Sequence, residues 1–157
     1  MVLQDQRVPY SARTHARQAL RARFAAEAAS VPGVRRFVTG RLRQWGRSEL
    51  LDDAELCVSE LAANAATHTA STSIEVAVET LEQGVRISVE DDAQIEPGAV
   101  VPQRTFRAGE APSLADEDTA GRGLAIVALL ASDWGVEPTG TGKRVWVELS
   151  VPCPAGA

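Results

Sequence analysis

Between residues 49 and 68 the hydrophobic positions recur with the spacing of an α-helix. At about 100° per residue they fall in one stripe, made of Leu50, Ala54, Cys57, Val58, Leu61 and Ala65. Glu60 and Asn64 lie on one margin of that stripe, one helical turn apart, with Asp53 preceding them. The pattern predicts a helix that presents a carboxylate and an amide at the edge of a buried face. Such a pair holds an ion or activates a hydroxyl group, or is an ordinary half-exposed pair.

Before this helix the pattern is less regular. Residues 1–18 have no sustained period and are predicted to form a flexible tail. Residues 19–28 fit either a short strand or a helix. A second helix is predicted after Ser30, which is a suitable N-cap, with Pro32 in its first turn and Gly46 at its end.

After residue 68 the period changes to two, which predicts two strands joined at Gln83-Gly84. The apolar positions of these strands are Ile74, Val76, Val78, Val85, Ile87 and Val89. Asp91 keeps the parity of Val89, so its carboxylate is predicted to point inward. Because an unpaired buried carboxylate is costly, Asp91 requires a donor, either a backbone amide or an amino group of a ligand.

Residues 94–120 form a long stretch without sustained period, which is typical of a functional loop or of disorder. Gly121-Arg122-Gly123 then opens an apolar helical run. Free amides at a helix start suit a phosphate group, although a tight turn alone also explains the glycines. The chain closes with two predicted strands, 134–138 and 143–151, joined by the glycine-rich turn 139–142.

Composition limits the class of protein. A chain of 157 residues with 45% hydrophobic residues suits one domain with a real core. It contains neither a membrane-spanning run nor an apolar leader, so we expect a cytoplasmic protein that does not enter the membrane. Cys57 and Cys153 have neither a disulfide framework nor a metal spacing, which indicates small hydrophobic residues or surface thiols.

Charge is distributed unevenly. Residues 7–47 hold ten arginines and one acid, a balance of +9, whereas the remainder carries −14, so the sum is −5. A basic first quarter is compatible with nucleic acid or an acidic protein partner, but a solvated helix face is the favoured interpretation.

Taken in order, the motifs resemble the GHKL superfamily of ATP-binding domains (the Bergerat fold), and within it the anti-sigma-factor serine kinases. They are VSELAANAATH on the helix, VEDDA at the strand end, AGRGLAIV at the next helix and WGVEPTGTGKRVWVEL in the final hairpin. The resemblance runs from Phe24 to Leu149. It implies a two-layer α/β sandwich, with helices on one face of a mixed, mainly antiparallel sheet. The implied layout is one ATP-binding domain at 19–151, including an ATP lid at 94–120, with tails at 1–18 and 152–157.

The resemblance also implies roles for individual residues. Asn64 matches the magnesium ligand, Glu60 the general base and Asp91 the acceptor of a hydrogen bond from the adenine amino group. Ala93 belongs to the first glycine box beside the nucleotide.

The second glycine box matches the turn that meets the phosphates, and its nucleotide-binding positions are Gly121, Arg122, Gly123 and Leu124. Three departures from the family pattern bear on nucleotide binding. Ala93 and Ile95 replace glycines of the first box, and Arg144 stands where a threonine is expected beside the adenine. His68 follows the helix motif as in many relatives, but it falls on the apolar stripe and is interpreted as a core histidine.

The function implied by the resemblance is an ATP- and Mg²⁺-dependent serine/threonine protein kinase in the cytoplasm. It would bind a sigma factor and phosphorylate an anti-anti-sigma (STAS-type) protein on serine, without direct contact with nucleic acid; a homodimer is compatible with this role. The alternative is an ATP-binding module that sequesters a partner without phosphorylating it, which the three departures favour. A sensor histidine-kinase domain is a weaker alternative, because the chain shows no dimerisation helices with a phosphoacceptor histidine.

Overall fold

In the computed structural model, residues 18–68, 72–92, 104–107 and 123–151 are described. The described strands form one six-stranded sheet in the order β1-β2-β3-β6-β5-β4, and every neighbouring pair is antiparallel. The elements are β1 (Ala19–Ala25), α1 (Val31–Gln44), α2 (Leu51–His68), β2 (Ser73–Leu81), β3 (Gly84–Asp91), β4 (Arg104–Arg107), α3 (Gly123–Leu130), β5 (Asp133–Pro138) and β6 (Lys143–Ser150). The predicted two-layer α/β sandwich is confirmed.

The hydrophobic stripe of the central helix forms the middle of the core. A short 3₁₀ turn at Ser48–Leu50 precedes α2, and all six residues of the predicted stripe are buried. They pack with the apolar residues of β2, β3 and β6 in one cluster. The helix α2 lies between α1 and α3, since it packs on both of them.

The segment that the sequence left open between strand and helix is strand β1. Leu20, Ala22 and Phe24 face the core and pair with Val78, Val76 and Ile74 of β2. On the other face, Arg21 donates a hydrogen bond to Glu75, with 2.9 Å between Nη1 and Oε1. The cross-strand contacts therefore decide the conformation that the local pattern did not.

The boundaries of α1 are as predicted, but its first turn is not capped in the predicted way. Ser30 is the last residue of a 3₁₀ turn (Ala28–Ser30) and has helical backbone geometry, and its side chain makes no capping hydrogen bond. At the other end Gly46 has a φ of +70°, which favours glycine. The amide of Gly46 donates to the carbonyl of Arg43 and that of Arg47 to Leu42, the hydrogen bonds of a Schellman motif.

The turn between β2 and β3 lies one residue earlier than predicted. Leu81 pairs with Gly84, so the two turn residues are Glu82 and Gln83. Gly84 is the first residue of strand β3. A side chain at this position would overlap the backbone carbonyl of Leu149 on β6, so the position requires glycine. The glycine is thus required by close approach of a neighbouring strand rather than by the turn.

One strand was missed by the sequence pattern. Residues Arg104–Arg107, inside the segment predicted as a continuous loop, form β4 and pair with β5 at the edge of the sheet. The rest of that segment, 94–103 and 108–120, lies outside the described residues, as do most of both predicted tails. The final hairpin is confirmed to within one residue of the predicted strands.

Candidate nucleotide-binding site

The first part of the candidate site is the margin of α2 that carries Glu60 and Asn64. Both side chains are half-buried and stand one turn apart. The other margin of α2 is occupied by α1, because Arg35 Nε donates a hydrogen bond of 2.7 Å to Ser59 Oγ. Successive residues are about 100° apart around a helix, so Glu60 and Asn64 lie on the margin of α2 away from Ser59. The carboxylate and the amide are therefore on the side of α2 away from α1.

The thiol of Cys57, beside this margin, is buried. Burial, with smaller contributions from the charges of Asp53 and Glu60, raises the pKa of Cys57 to about 12. A thiol with so high a pKa stays protonated and is a poor nucleophile and a poor metal ligand. Cys57 is therefore the small buried hydrophobic residue that the sequence indicated, whereas Cys153 lies outside the described residues.

The second part of the site is the carboxylate at the end of β3. Asp91 is only 3% exposed, and it shares the core face with Val85, Ile87 and Val89. The prediction from strand parity is confirmed. A carboxylate in such a position is held where water is scarce, which makes it a strong and directional hydrogen-bond acceptor.

The end of the last hairpin closes directly onto this carboxylate. A side chain at Gly142 would overlap the backbone carbonyl of Asp91, and its Cβ would lie 2.9 Å from Asp91 Oδ1. The turn is fixed from Thr139, whose amide donates to the Gly142 carbonyl and whose hydroxyl accepts from the Gly142 amide, both at 2.9 Å. The sequence assigned these glycines only to the turn; their contact with Asp91 depends on the register of β3 and β6.

The same register corrects the assignment of Arg144 to the neighbourhood of the base. Arg144 is paired with Glu90 rather than with Asp91, and it projects from the outer face of the sheet. Its guanidinium donates to Glu90 Oε2 at 2.7 Å and to Glu137 Oε1 at 2.8 Å. Burial alone would lower the pKa of Arg144, but the hydrogen bonds to Glu90 and Glu137 outweigh it and raise that pKa. Lys143, not Arg144, lies opposite Asp91.

The remaining predicted site residues are less fully defined. Gly123 is the first residue of α3, as the pattern predicted, and Leu124 follows it in the same helix. Ala93, Gly121 and Arg122 lie outside the described residues. Within the described part of the chain, no group of three or more histidine, cysteine or acidic residues could hold a metal ion. A metal bound at Asn64 would thus take most of its oxygen ligands from phosphate and water.

These features agree with the comparison to known families. A sequence model of the histidine kinase-like ATPase domain matches residues 24–149, and the chain belongs to that family. The GHKL resemblance is thereby confirmed over the same residues, and ATP is the ligand that the family implies. Comparison with curated proteins gives no match. Among the described residues, no helix is long and apolar enough to cross a membrane.

Asp91 and Gly142 satisfy a simple test of fit to this ligand. The amino group of adenine needs an acceptor in a pocket that excludes water, and the buried Asp91 carboxylate supplies one. Gly142 has no side chain, so it does not cover the Asp91 carboxylate from the β6 side. The residues present at this end of the sheet therefore fit the base of a nucleotide.

Proposed function

We propose that the protein is an ATP-dependent serine protein kinase of the anti-sigma type, in the cytoplasm. It binds a sigma factor, phosphorylates an anti-anti-sigma (STAS-type) protein on serine, and exchanges partners according to that phosphorylation. The observation that carries the proposal is the position of Glu60. A half-buried carboxylate one turn before Asn64, on the margin of α2 away from α1, supports the role of a base that acts on a hydroxyl next to the phosphates.

The proposed chemistry needs few groups from the chain. Magnesium, when bound with ATP, neutralises charge on the phosphates, and the Asn64 amide oxygen is a suitable hard ligand for it. The serine oxygen forms the new bond to the γ-phosphorus as the bond from that phosphorus to ADP breaks. The Glu60 carboxylate accepts the hydroxyl proton. Asp91 holds the base, so the γ-phosphoryl group is presented in a fixed position.

The test is phosphoryl transfer from labelled ATP to candidate antagonist proteins. We expect Glu60→Gln to lower transfer by about 1,000-fold, the middle of the usual range for a general base, with ATP affinity nearly unchanged. Glu55→Gln is the matched control, because Glu55 is exposed on the same helix and lies nearer the margin that faces α1. Equal transfer by the Glu60 variant and the wild type would contradict the assignment of Glu60.

An ATP-binding module that sequesters its partner without transfer is the alternative. Ala93 and Ile95, which replace glycines, favour it, and both lie outside the described residues. The third departure, Arg144 in place of a threonine, does not favour this alternative, because Arg144 faces away from Asp91 and forms ion pairs with Glu90 and Glu137. Persistent ATP binding with no transfer to any antagonist would support this alternative.

The described contacts of three arginines of the first quarter favour a structural role over nucleic-acid binding. Arg21 is engaged with Glu75, Arg35 with Ser59, and Arg47 with the backbone carbonyl of Leu81. These contacts support the interpretation of a structural and solvated set of charges. Binding to DNA or RNA that collapses as salt rises would contradict it.

A further inference from the structure

Lys143 is the one cationic residue that the sheet register places beside Asp91. It is the first residue of β6, and its Cα pairs directly with that of Asp91 across the β3–β6 ladder. Directly opposed residues project from the same face with Cβ atoms about 5 Å apart. Lys143 also has the parity of Val147 and Leu149, which are buried in the core. Its side chain therefore starts on the face of the sheet that holds the buried carboxylate.

The residues next to Lys143 in the chain place no side chain between it and Asp91 and have their own contacts. Gly142 contributes no side chain between Lys143 and Asp91. Arg144 points to the outer face, where Glu90 and Glu137 take up its charge. In the part of the chain that the structure describes, Lys143 itself makes no ion pair and is half-buried. A lysine in such a position lacks the structural role that Arg144 has.

The register therefore starts the side chains of one donor, Lys143, and one acceptor, Asp91, from opposed positions on the same face of the sheet. An ammonium group only donates hydrogen bonds, and a carboxylate only accepts them. The edge of adenine carries the matching pair, an amino group that donates next to the N1 atom that accepts. We propose that Lys143 determines base specificity by donating a hydrogen bond to N1 while Asp91 accepts one from the amino group. This inference rests on the proposed function, because it requires that the base of the nucleotide meets Asp91.

The experiment measures the affinity of the full chain for ATP and for 1-deaza-ATP, which lacks the N1 acceptor, by titration calorimetry with magnesium. For the wild type we expect 1-deaza-ATP to bind about tenfold more weakly than ATP, the usual effect of one hydrogen bond to a charged group. Lys143→Met keeps the length of the stem and removes the donor. This variant should bind ATP about tenfold more weakly and should no longer distinguish the two nucleotides.

Loss of discrimination is the result that a merely structural lysine would not give. If Lys143 only neutralised Asp91, Lys143→Met would weaken both nucleotides and leave their ratio unchanged. An unchanged ratio, or full ATP affinity in Lys143→Met, would overturn the inference. Lys143→Arg, which restores a donor, should recover part of the discrimination.

Arg144→Met is the matched control, one residue further on the opposite face. Arg144→Met should keep the wild-type ratio of the two affinities. Thermal unfolding shows whether each variant is folded. If the wild type binds ATP but Lys143→Met has the same ratio of affinities for ATP and 1-deaza-ATP, this inference fails and the proposed function stands. If the wild type binds no ATP at all, both fail.

Discussion

The two faces of the sheet differ at the point where β3, β6 and β5 meet. On the outer face, charged groups are matched in pairs: Arg144 contacts Glu90 and Glu137, and Arg86 contacts Glu148 at 3.0 Å. On the inner face, Asp91 is buried at the strand end, beside a glycine and opposite a lysine that makes no ion pair within the described residues. Adjacent residues of one strand thus have different roles. Partly exposed ion pairs are typical of a structural role, whereas a carboxylate buried at a strand end, with a lysine opposite it in the ladder, is typical of a binding site.

The sharpest test of this difference compares Asp91→Asn with Glu90→Gln, two neutralisations in adjacent residues. We expect Asp91→Asn to weaken ATP binding by about 100-fold, since the charged acceptor for the base is lost. Glu90→Gln should leave ATP affinity unchanged and reduce the free energy of unfolding by less than about 1 kcal/mol, because its ion pair with Arg144 is partly exposed. Calorimetry and urea unfolding measure the two quantities. Similar ATP affinities for the two variants would remove the distinction between the faces.

A second test addresses the close contact behind Asp91. Gly142→Ala places a methyl group against the Asp91 backbone, so we expect a loss of about 2 kcal/mol in the free energy of unfolding and weaker ATP binding. Gly140→Ala lies in the same turn with no atom within 4 Å of the added group, and should change stability by less than about 0.5 kcal/mol. Equal losses in urea unfolding would show that the turn, not the contact, sets the requirement for glycine.

The smallest expected effect concerns Glu79, which lies on the outer face and is 9% exposed. Burial raises the pKa of Glu79 above its ordinary value of 4.5, although Arg86, Arg21 and Arg144 act to lower it. The pKa of Glu79 is higher in the folded state than in the unfolded chain. The contribution of Glu79 to the free energy of unfolding is therefore fully present below pH 4.5, and it is lost as the pH rises through the folded-state pKa.

Replacing Glu79 by glutamine removes this pH-dependent cost. At neutral pH Glu79→Gln should be more stable than the wild type by about 0.5 kcal/mol, and the difference should disappear in acid. Glu82→Gln, in the exposed hairpin turn, serves as the control and should show no such trend. Lower stability of Glu79→Gln at neutral pH would mean that its attraction to Arg86 outweighs its burial.

Local periodicity was sufficient to predict most of the helices and strands, whereas their arrangement as a two-layer sandwich was implied by the family resemblance. The stripe of α2 and the parity of Asp91 follow from spacings of 3.6 and 2 residues, and both are confirmed by burial. Strand β4 was missed because four residues are too few to establish a period. The turn at Glu82-Gln83 was misplaced by one residue because Gly84 serves contact with β6, a strand that lies far along the chain.

The site was predictable only as far as it depends on a single element. Glu60 and Asn64 belong to one helix, so their proximity could be read from sequence. The neighbours of Asp91 come from β6, and a shift of one residue in register exchanges the two faces. The family resemblance placed Arg144 beside the adenine, whereas the register turns it to the outer face; Lys143 and the contact of Gly142 were overlooked.

Titration calorimetry of the wild-type protein with ATP and with ADP, in the presence of magnesium, tests the central claim most directly. We predict saturable heat with one nucleotide per chain, and loss of most of that affinity in Asp91→Asn but not in Glu90→Gln. Absence of heat and of competition between the two nucleotides at millimolar concentration would contradict the account.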